Sequence, residues 1–312
     1  MKVIYMGTPD FAVNVLKALL LSRHEVLAVY TQPDKPKGRG KAMQFTPVKE
    51  VAVEANVPVY QPRRVREPEV AEQIRSLKPD VLVVVAFGQI IPKEILDIAP
   101  YGCVNVHGSL LPKYRGAAPI QWAVIDGEKE SGVTTMQMDE GVDTGDMLLK
   151  TVVPLEKKET GGSLFDKLSA AGAKLLIETL DGLEAGSIVP EKQGESPTPY
   201  AKMLTKEMGR IDWNKSAAEI ERLIRGLNPW PSAYTKLGGK TLKIWEADVS
   251  GEEETQPEQK TAGTVLKAEK AELLIQTGRG VLAVRELQLE GKKRMDTAAF
   301  LRGCHLEKGM IL

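Results

Sequence analysis

Residues 80–86, Asp80-Val81-Leu82-Val83-Val84-Val85-Ala86, put an unbroken apolar run behind a single aspartate. Successive strand side chains face opposite ways, so this run has no face to offer water. It predicts a central parallel strand buried between two helix layers. The flanking sequence agrees. Val3 to Met6 is a short apolar run closed by Gly7, Phe11, Val15, Leu16, Leu19 and Leu20 follow at helical spacing, and Val26 to Tyr30 reads as another strand. Strands alternating with helices predict a Rossmann-like, doubly wound, mostly parallel α/β sheet.

The α/β pattern does not fill the chain, which at 312 residues can hold two domains. After a strand at 102–106, a helix is expected over 116–126, strands over Gly132–Met138 and Met147–Val153, and a helix over Ser163–Leu180. Composition then turns Pro-rich and polar from Val189 to Pro199, the signature of a linker. The expected division is an N-terminal domain over 1–189, a linker over 190–206 and a C-terminal domain over 207–312. That last part reads as a helix at Ala217–Leu227, then short β segments at Thr241–Trp245, Gly263–Leu266, Glu272–Thr277 and Val281–Glu290. Short strands with glycine turns predict a smaller β-barrel, OB-like in kind. Gly251 to Glu258 reads as a solvated loop.

Basic and acidic residues balance at 42 each, so no global field marks a nucleic-acid protein, and any such partner must meet a local patch. Two cysteines, Cys103 and Cys304, give no disulfide framework and suit a reducing compartment. The first residues read as a strand rather than a signal peptide, and no apolar run approaches the roughly 18 residues of a membrane span. A soluble, cytoplasmic, monomeric protein is expected.

Asn105 and His107 are two apart at the end of the 102–106 strand, so their side chains share one face. Open α/β sheets place their sites at such carboxyl ends. The chain has only two other histidines, His24 and His305, which makes His107 a candidate for proton or oxyanion chemistry. A polar pair satisfying backbone at a strand end is the competing reading. Other chemistries fit less well. Gly7-Thr8-Pro9 lacks the later glycines of a dinucleotide turn, and Pro9 removes an N–H that a phosphate cradle would use. There is no Walker lysine motif and no Gly-x-Ser-x-Gly elbow. Three scattered histidines and two distant cysteines make no zinc pattern, so no metal is expected. The remaining polar turn is Asp139 to Asp146, where Asp143 can orient a histidine or take a proton through water.

Three stretches together, Asn105 to Pro112, Tyr114-Arg115-Gly116-Ala117-Ala118-Pro119 and Asp143-Thr144-Gly145-Asp146, resemble the folate-dependent formyltransferases. Met6 to Ala12, Thr31-Gln32-Pro33-Asp34, Ile211-Asp212-Trp213 and Asn228-Pro229-Trp230-Pro231 are similar to the branch of that family that formylates an aminoacyl-tRNA, and the match runs end to end. The resemblance implies transfer of a formyl group from 10-formyltetrahydrofolate to the α-amino group of methionine on initiator tRNA. It further implies Asn105, His107 and Asp143 as the catalytic set, with Ser109, Leu110, Leu111 and Pro112 as one wall of a folate pocket. Phe87, Gly88 and Ile90, at the end of the apolar run, are expected to form another wall. A flat pteridine suits an apolar slot edged by main-chain donors and acceptors. Leu110 and Leu111 could instead plug the core beneath the loop.

Gln32 to Phe45 is a long connection inside a βα unit, where about 2–6 residues are usual. Lys35, Lys37, Arg39 and Lys41 alternate there with Pro and Gly, as in a flexible basic loop meeting phosphates. A charge run is also what an ordinary solvated face looks like, but in the resembled family this insertion enters the acceptor arm of the tRNA. Thr46-Pro47 then restarts a helix as N-cap and first-turn proline. Arg63, Arg64 and Arg66 could extend the basic track, and Lys292 to Arg294 could either extend it or form a plain hairpin tip. Two other readings remain open: a formyltransferase acting on a small substrate, and a noncatalytic RNA- or folate-binding protein.

Overall fold

The computed structural model describes residues 1–37, 42–250 and 261–312. The residues fall into two units. The first comprises Met1–Pro119, Glu130–Pro154 and Phe165–Ala201, and the second Ile120–Lys129, Leu155–Leu164 and Lys202–Leu312.

In the first unit the apolar run becomes β6 (Val81–Val85), buried at all its positions. It pairs in parallel with β1 (Lys2–Gly7) on one side and β7 (Cys103–His107) on the other. Beyond β1 lie β2 (Glu25–Tyr30) and β5 (Val59–Tyr60), also parallel. Beyond β7 lie β8 (Glu130–Gln137) and β9 (Met147–Pro154), both antiparallel. The seven-stranded order is β5-β2-β1-β6-β7-β8-β9, so the strand order reverses between β1 and β6. That reversal opens a crevice at the carboxyl ends of the parallel strands, the usual place for a ligand in such sheets.

Helix α1 (Asp10–Leu20) buries Phe11, Ala12, Val15, Leu16 and Leu19 at the spacing read from the sequence. Within the basic connection, where a flexible loop was expected, β3 (Lys35–Lys37) pairs antiparallel with β4 (Ala42–Gln44), and residues 38–41 lie outside the described residues. Helix α2 (Pro47–Glu54) starts where Thr46 accepts a hydrogen bond from the Lys49 N–H. Helix α3 (Pro68–Ser76) has no strong sequence signal, because only Val70, Ala71 and Ile74 turn inward among polar residues. Val70 and Ile74 each contribute about 1.5–3 kcal/mol by leaving water, and with Ala71 they join α3 to the core cluster that holds Leu82 and Val84. The short α4 (Lys93–Leu96) follows, and α5 (Pro119–Asp126) and the long α6 (Gly161–Glu184) complete the helices of this half of the chain. On α6, Leu168, Leu175, Leu176 and Leu180 are buried as expected. Gly172 lets that helix close on the sheet, since a Cβ there would sit 3.0 Å from a Val106 methyl.

The second unit is built on a six-stranded antiparallel sheet. Its order is β10 (Ala233–Leu237), β11 (Lys240–Ser250), β14 (Val281–Leu289), β13 (Glu272–Gln276) and β12 (Val265–Glu269), with β15 (Met295–Asp296) also on β14. Among the described residues no ladder returns from β12 to β10. Helix α7 (Ala217–Gly226) starts at a capping box of Ser216 and Glu219 and packs Ile220 and Ile224 with Trp213, Ile244, Val284 and Leu287. Helix α8 (Thr297–Gly303) adds Phe300 to that core. The expected loop at 251–258 lies outside the described residues. No helix among the described residues is long and apolar enough to cross a membrane.

Candidate functional site

Strand β7 ends with Asn105 and His107 beside the carboxyl end of β6, where Val84 lies opposite Asn105. Asn105 is 8% exposed and His107 6%. Among the described residues no hydrogen bond ties the Asn105 side-chain amide to the protein, and its polar atoms are not among the fully buried ones left without a partner, so the amide still reaches solvent. A donor that is not committed to the fold and is still reached by solvent can turn to a bound group without breaking a hydrogen bond of the protein.

His107 is held from two sides. Its Nε2 lies 3.0 Å from the Tyr114 carbonyl oxygen. A carbonyl only accepts, so the proton belongs to Nε2 in that contact. Its Nδ1 faces the Asp143 carboxylate at 3.7 Å, beyond hydrogen-bond range but within reach of its charge. The other Asp143 oxygen accepts the Gly116 N–H at 2.9 Å. Asp143 itself sits at φ +55°, a left-handed conformation that aspartate tolerates and bulky residues resist. The three predicted catalytic residues therefore meet at one end of the sheet. Nearby, burial pushes the Cys103 thiol far above its ordinary range, so it stays protonated and offers no nucleophile.

The loop after β7 is fastened to β8. The Thr134 hydroxyl donates to the Ser109 carbonyl at 2.8 Å and accepts the Leu111 N–H at 3.1 Å. Ser109 closes the turn by donating to the Lys113 carbonyl at 2.7 Å. Of the expected folate-wall residues, Ser109 and Leu111 are fully buried, and Leu111 packs with Met136 and Met147. Leu110 and Pro112 are half-buried, with Leu110 lying over Gly132. On the neighbouring loop, Phe87 is buried in the core cluster that also holds Ile91 and Ile95. The Phe87 carbonyl accepts from the Thr8 hydroxyl (3.0 Å) and the Gln32 amide (3.2 Å), Gly88 turns at φ +82°, and Ile90 is 83% exposed.

The sequence gives no hint of Gln193. It lies in the Pro-rich stretch expected to be a linker, yet residues 191–201 are laid along the first unit. Glu191 bridges to Met147, the Thr198 hydroxyl accepts the Tyr114 N–H at 2.7 Å, and the Ala201 carbonyl accepts the Ala117 N–H at 2.8 Å. The Gln193 amide donates to the carbonyls of Asp143 (2.9 Å) and Gly145 (2.7 Å). Its oxygen accepts Nε and Nη2 of Arg115, which also donates to the Gly194 carbonyl. Gln193 thus ties the Asp143 turn to the segment that follows β7. Fixed spacing on a strand is visible in a sequence, whereas a strut between distant loops leaves no periodic trace.

Lys35 and Lys37 lie on β3, whereas Arg39 and Lys41 are outside the described residues. Arg63, Arg64 and Arg66 are exposed. Arg294 is engaged by Glu286 and lies 5.0 Å over the Trp245 ring. One group could present ligand atoms to a metal, His24 with Asp181 and Glu184. The Arg23 guanidinium already pairs with both carboxylates, at 2.6 and 2.5 Å.

Residues 1–180 match the family model described as formyl transferase, and residues 203–305 match the formyl transferase C-terminal domain. A methionyl-tRNA formyltransferase of Lachnospira eligens is 58% identical over 313 residues, covering 100% of this chain and 99% of that protein. The methionyl-tRNA formyltransferase of Clostridioides difficile is 50% identical over 312 residues and covers 100% of both. The solved structure of an N-formyltransferase from Helicobacter canadensis, in complex with folinic acid and dTDP-3-aminofucose, superposes with a TM-score of 0.68 at 19% identity. That superposition covers 91% of this chain and 99% of the other. HypX from Aquifex aeolicus in complex with tetrahydrofolic acid gives 0.62 at 18% identity, over 100% of this chain and 51% of HypX. At these identities the two superpositions speak to the fold alone.

Proposed function

The chain belongs to the methionyl-tRNA formyltransferase family, and we propose how its site carries out the reaction that this membership brings with it. A formyl group passes from 10-formyltetrahydrofolate to the α-amino group of methionine on initiator tRNA. The observation that carries the catalytic reading is the buried, unpartnered amide of Asn105 on one strand face with a His107 that faces Asp143.

The free amine attacks the formyl carbon and forms a C–N bond, and the carbonyl electron pair moves to oxygen. Asn105 donates its N–H to that oxyanion, and His107 is the second donor. Asp143, through water, takes the proton that the attacking nitrogen loses. Collapse breaks the bond between the formyl carbon and the folate nitrogen, which takes its proton from Nδ1 of His107 in the imidazolium form while Nε2–H stays on the Tyr114 carbonyl, and the proton collected by Asp143 passes back to that Nδ1. The products are a formamide and tetrahydrofolate, with no covalent enzyme intermediate. For the folate, Leu110 and Pro112 with Gly88 and Ile90 form the walls of the slot. Ser109, Leu111 and Phe87 support those walls from the core, and the main chain at 86–90 offers polar edges to the pteridine.

Incubation with 10-formyltetrahydrofolate and Met-charged initiator tRNA tests the assignment, with uncharged tRNA and an amino-sugar nucleotide as controls. The expected result is blocking of the methionyl amine alone. Formylation of the sugar, with the charged tRNA left untouched, would overturn it.

The basic hairpin is the tRNA contact in this reading, with Lys35, Lys37, Arg39 and Lys41 set against phosphates. Neutralising Arg39 and Lys41 together is expected to raise KM for the tRNA and to lower the slope of log affinity against log salt by about 1.5–2. An unchanged slope would remove these residues from the interface. Replacing Gln193 with alanine releases the Asp143 turn and is expected to lower kcat about 10–100-fold, with both KM values nearly unchanged. Rescue by glutamate, which cannot donate to the two carbonyls, would contradict the strut.

A further inference from the structure

The hairpin β3–β4 leaves and rejoins the fold through residues whose charges are spent on each other. Asp34 immediately precedes β3, and Lys49 lies in the first turn of α2 just after β4. The Lys49 ammonium donates to Asp34 Oδ2 at 2.5 Å and to Gln61 Oε1 at 2.8 Å. The Gln61 amide closes the circuit by donating to Asp34 Oδ1 (2.7 Å) and to the Gln32 carbonyl (2.9 Å). Lys49 also lies 3.9 Å over the Phe45 ring, and the Thr31 and Thr46 hydroxyls are hydrogen-bonded at 2.8 Å. The Lys49 and Asp34 side chains are only 15% and 17% exposed. Burial alone would raise the Asp34 carboxyl, but its hydrogen bonds from Lys49 and Gln61 hold it below the usual carboxylate range.

An acidic side chain at the base of a basic hairpin is wrong for phosphate attraction, and a lysine paired to it contributes little attraction of its own. We propose that Asp34, Lys49 and Gln61 form a clasp that fixes both feet of the hairpin and so sets the direction in which β3 and β4 leave the fold toward the tRNA. This rests on the reading that the hairpin meets the tRNA. The three residues are positioning residues, not phosphate ligands. If an unclasped hairpin occupies the competent direction about a tenth of the time, apparent tRNA affinity falls about tenfold.

Charge and clasp predict opposite signs, which makes the test sharp. Asp34→Asn removes a negative charge near the tRNA, so electrostatics alone would lower KM for Met-tRNA, whereas loss of the clasp raises it. Lys49→Met keeps the stem over Phe45 but removes the ammonium. A lost phosphate contact would reduce the salt slope by about one, and a lost clasp leaves it unchanged. The expected result for both variants in the full-length enzyme is a KM for Met-tRNA raised about tenfold, with the salt slope, kcat and folate KM held. Faster amide hydrogen exchange at Lys35, Lys37 and 42–44 is expected beside it. An unchanged or lowered tRNA KM in Asp34→Asn, or a reduced slope in Lys49→Met, overturns the clasp. Neutralisation of Arg39 and Lys41 separates the two levels. If it alters tRNA KM and slope while the Asp34 and Lys49 variants do not alter KM, the hairpin contact stands and the clasp fails. If it alters neither, the contact itself fails and the clasp falls with it.

Discussion

Asn105→Ala is expected to lower kcat about 100- to 1000-fold, or about 3–4 kcal/mol of barrier, while Tm stays nearly level. The two halves of this expectation come from one observation. Among the described residues the amide has no partner within the fold, so removing it breaks no hydrogen bond of the protein. In the proposed mechanism the same amide donates to the oxyanion, so the loss is felt in the transition state. Single-turnover formylation with saturating folate and Met-tRNA, together with thermal melts, measures both. A fall in kcat of threefold or less, or a drop in both Tm and kcat, would return Asn105 to the role of a structural strand-end residue.

Asp143→Asn is expected to lower kcat about 100- to 10,000-fold, the range for loss of a positioned general base. Asparagine can keep the local structure, since its carbonyl accepts the Gly116 N–H and it tolerates φ +55°. What it loses is proton affinity and the negative charge facing His107 at 3.7 Å. Unchanged KM values with a collapsed kcat are the expected signature. Near-normal single-turnover transfer would place the proton acceptor elsewhere.

The site was legible in part because it rests on strand geometry. The two-residue spacing of Asn105 and His107 fixes a shared face whatever surrounds it, and the run Val81–Val85 could only be a central strand. The turn carrying Asp143 was readable from its glycines, although the distance that brings it to His107 was not. Other features were hidden for identifiable reasons. Helix α3 turns just three apolar residues inward, too few for periodicity to stand out among the glutamates. Strand β10 is a five-residue segment whose partner β11 supplies the pairing, and α8 is a seven-residue helix that depends on the core for Phe300. Phe87 follows a tight turn at Ala86 (φ +46°) and is buried in the core cluster, a burial that the apolar run before it did not reveal. Composition suggested a linker at 190–206, where prolines and polar residues are abundant. The same residue types suit a strap that uses backbone groups and one glutamine to hold loops, and composition does not separate the two.

The make-up of the second unit also bears on how the chain can be made. Gly226 of α7 closes on α5, where a Cβ would meet Ile125, and Arg222 of α7 donates to the Ile125 carbonyl across 97 residues of sequence. Trp122 likewise donates to the Lys202 carbonyl. During synthesis from the N-terminus, residues 120–129 and 155–164 emerge well before Lys202–Leu312, the remainder of their own unit. The first two-thirds of the nascent chain therefore carries apolar side chains whose partners do not yet exist. Cutting the gene at residue 202 recreates that state permanently and yields two fragments that need each other, not two portable modules.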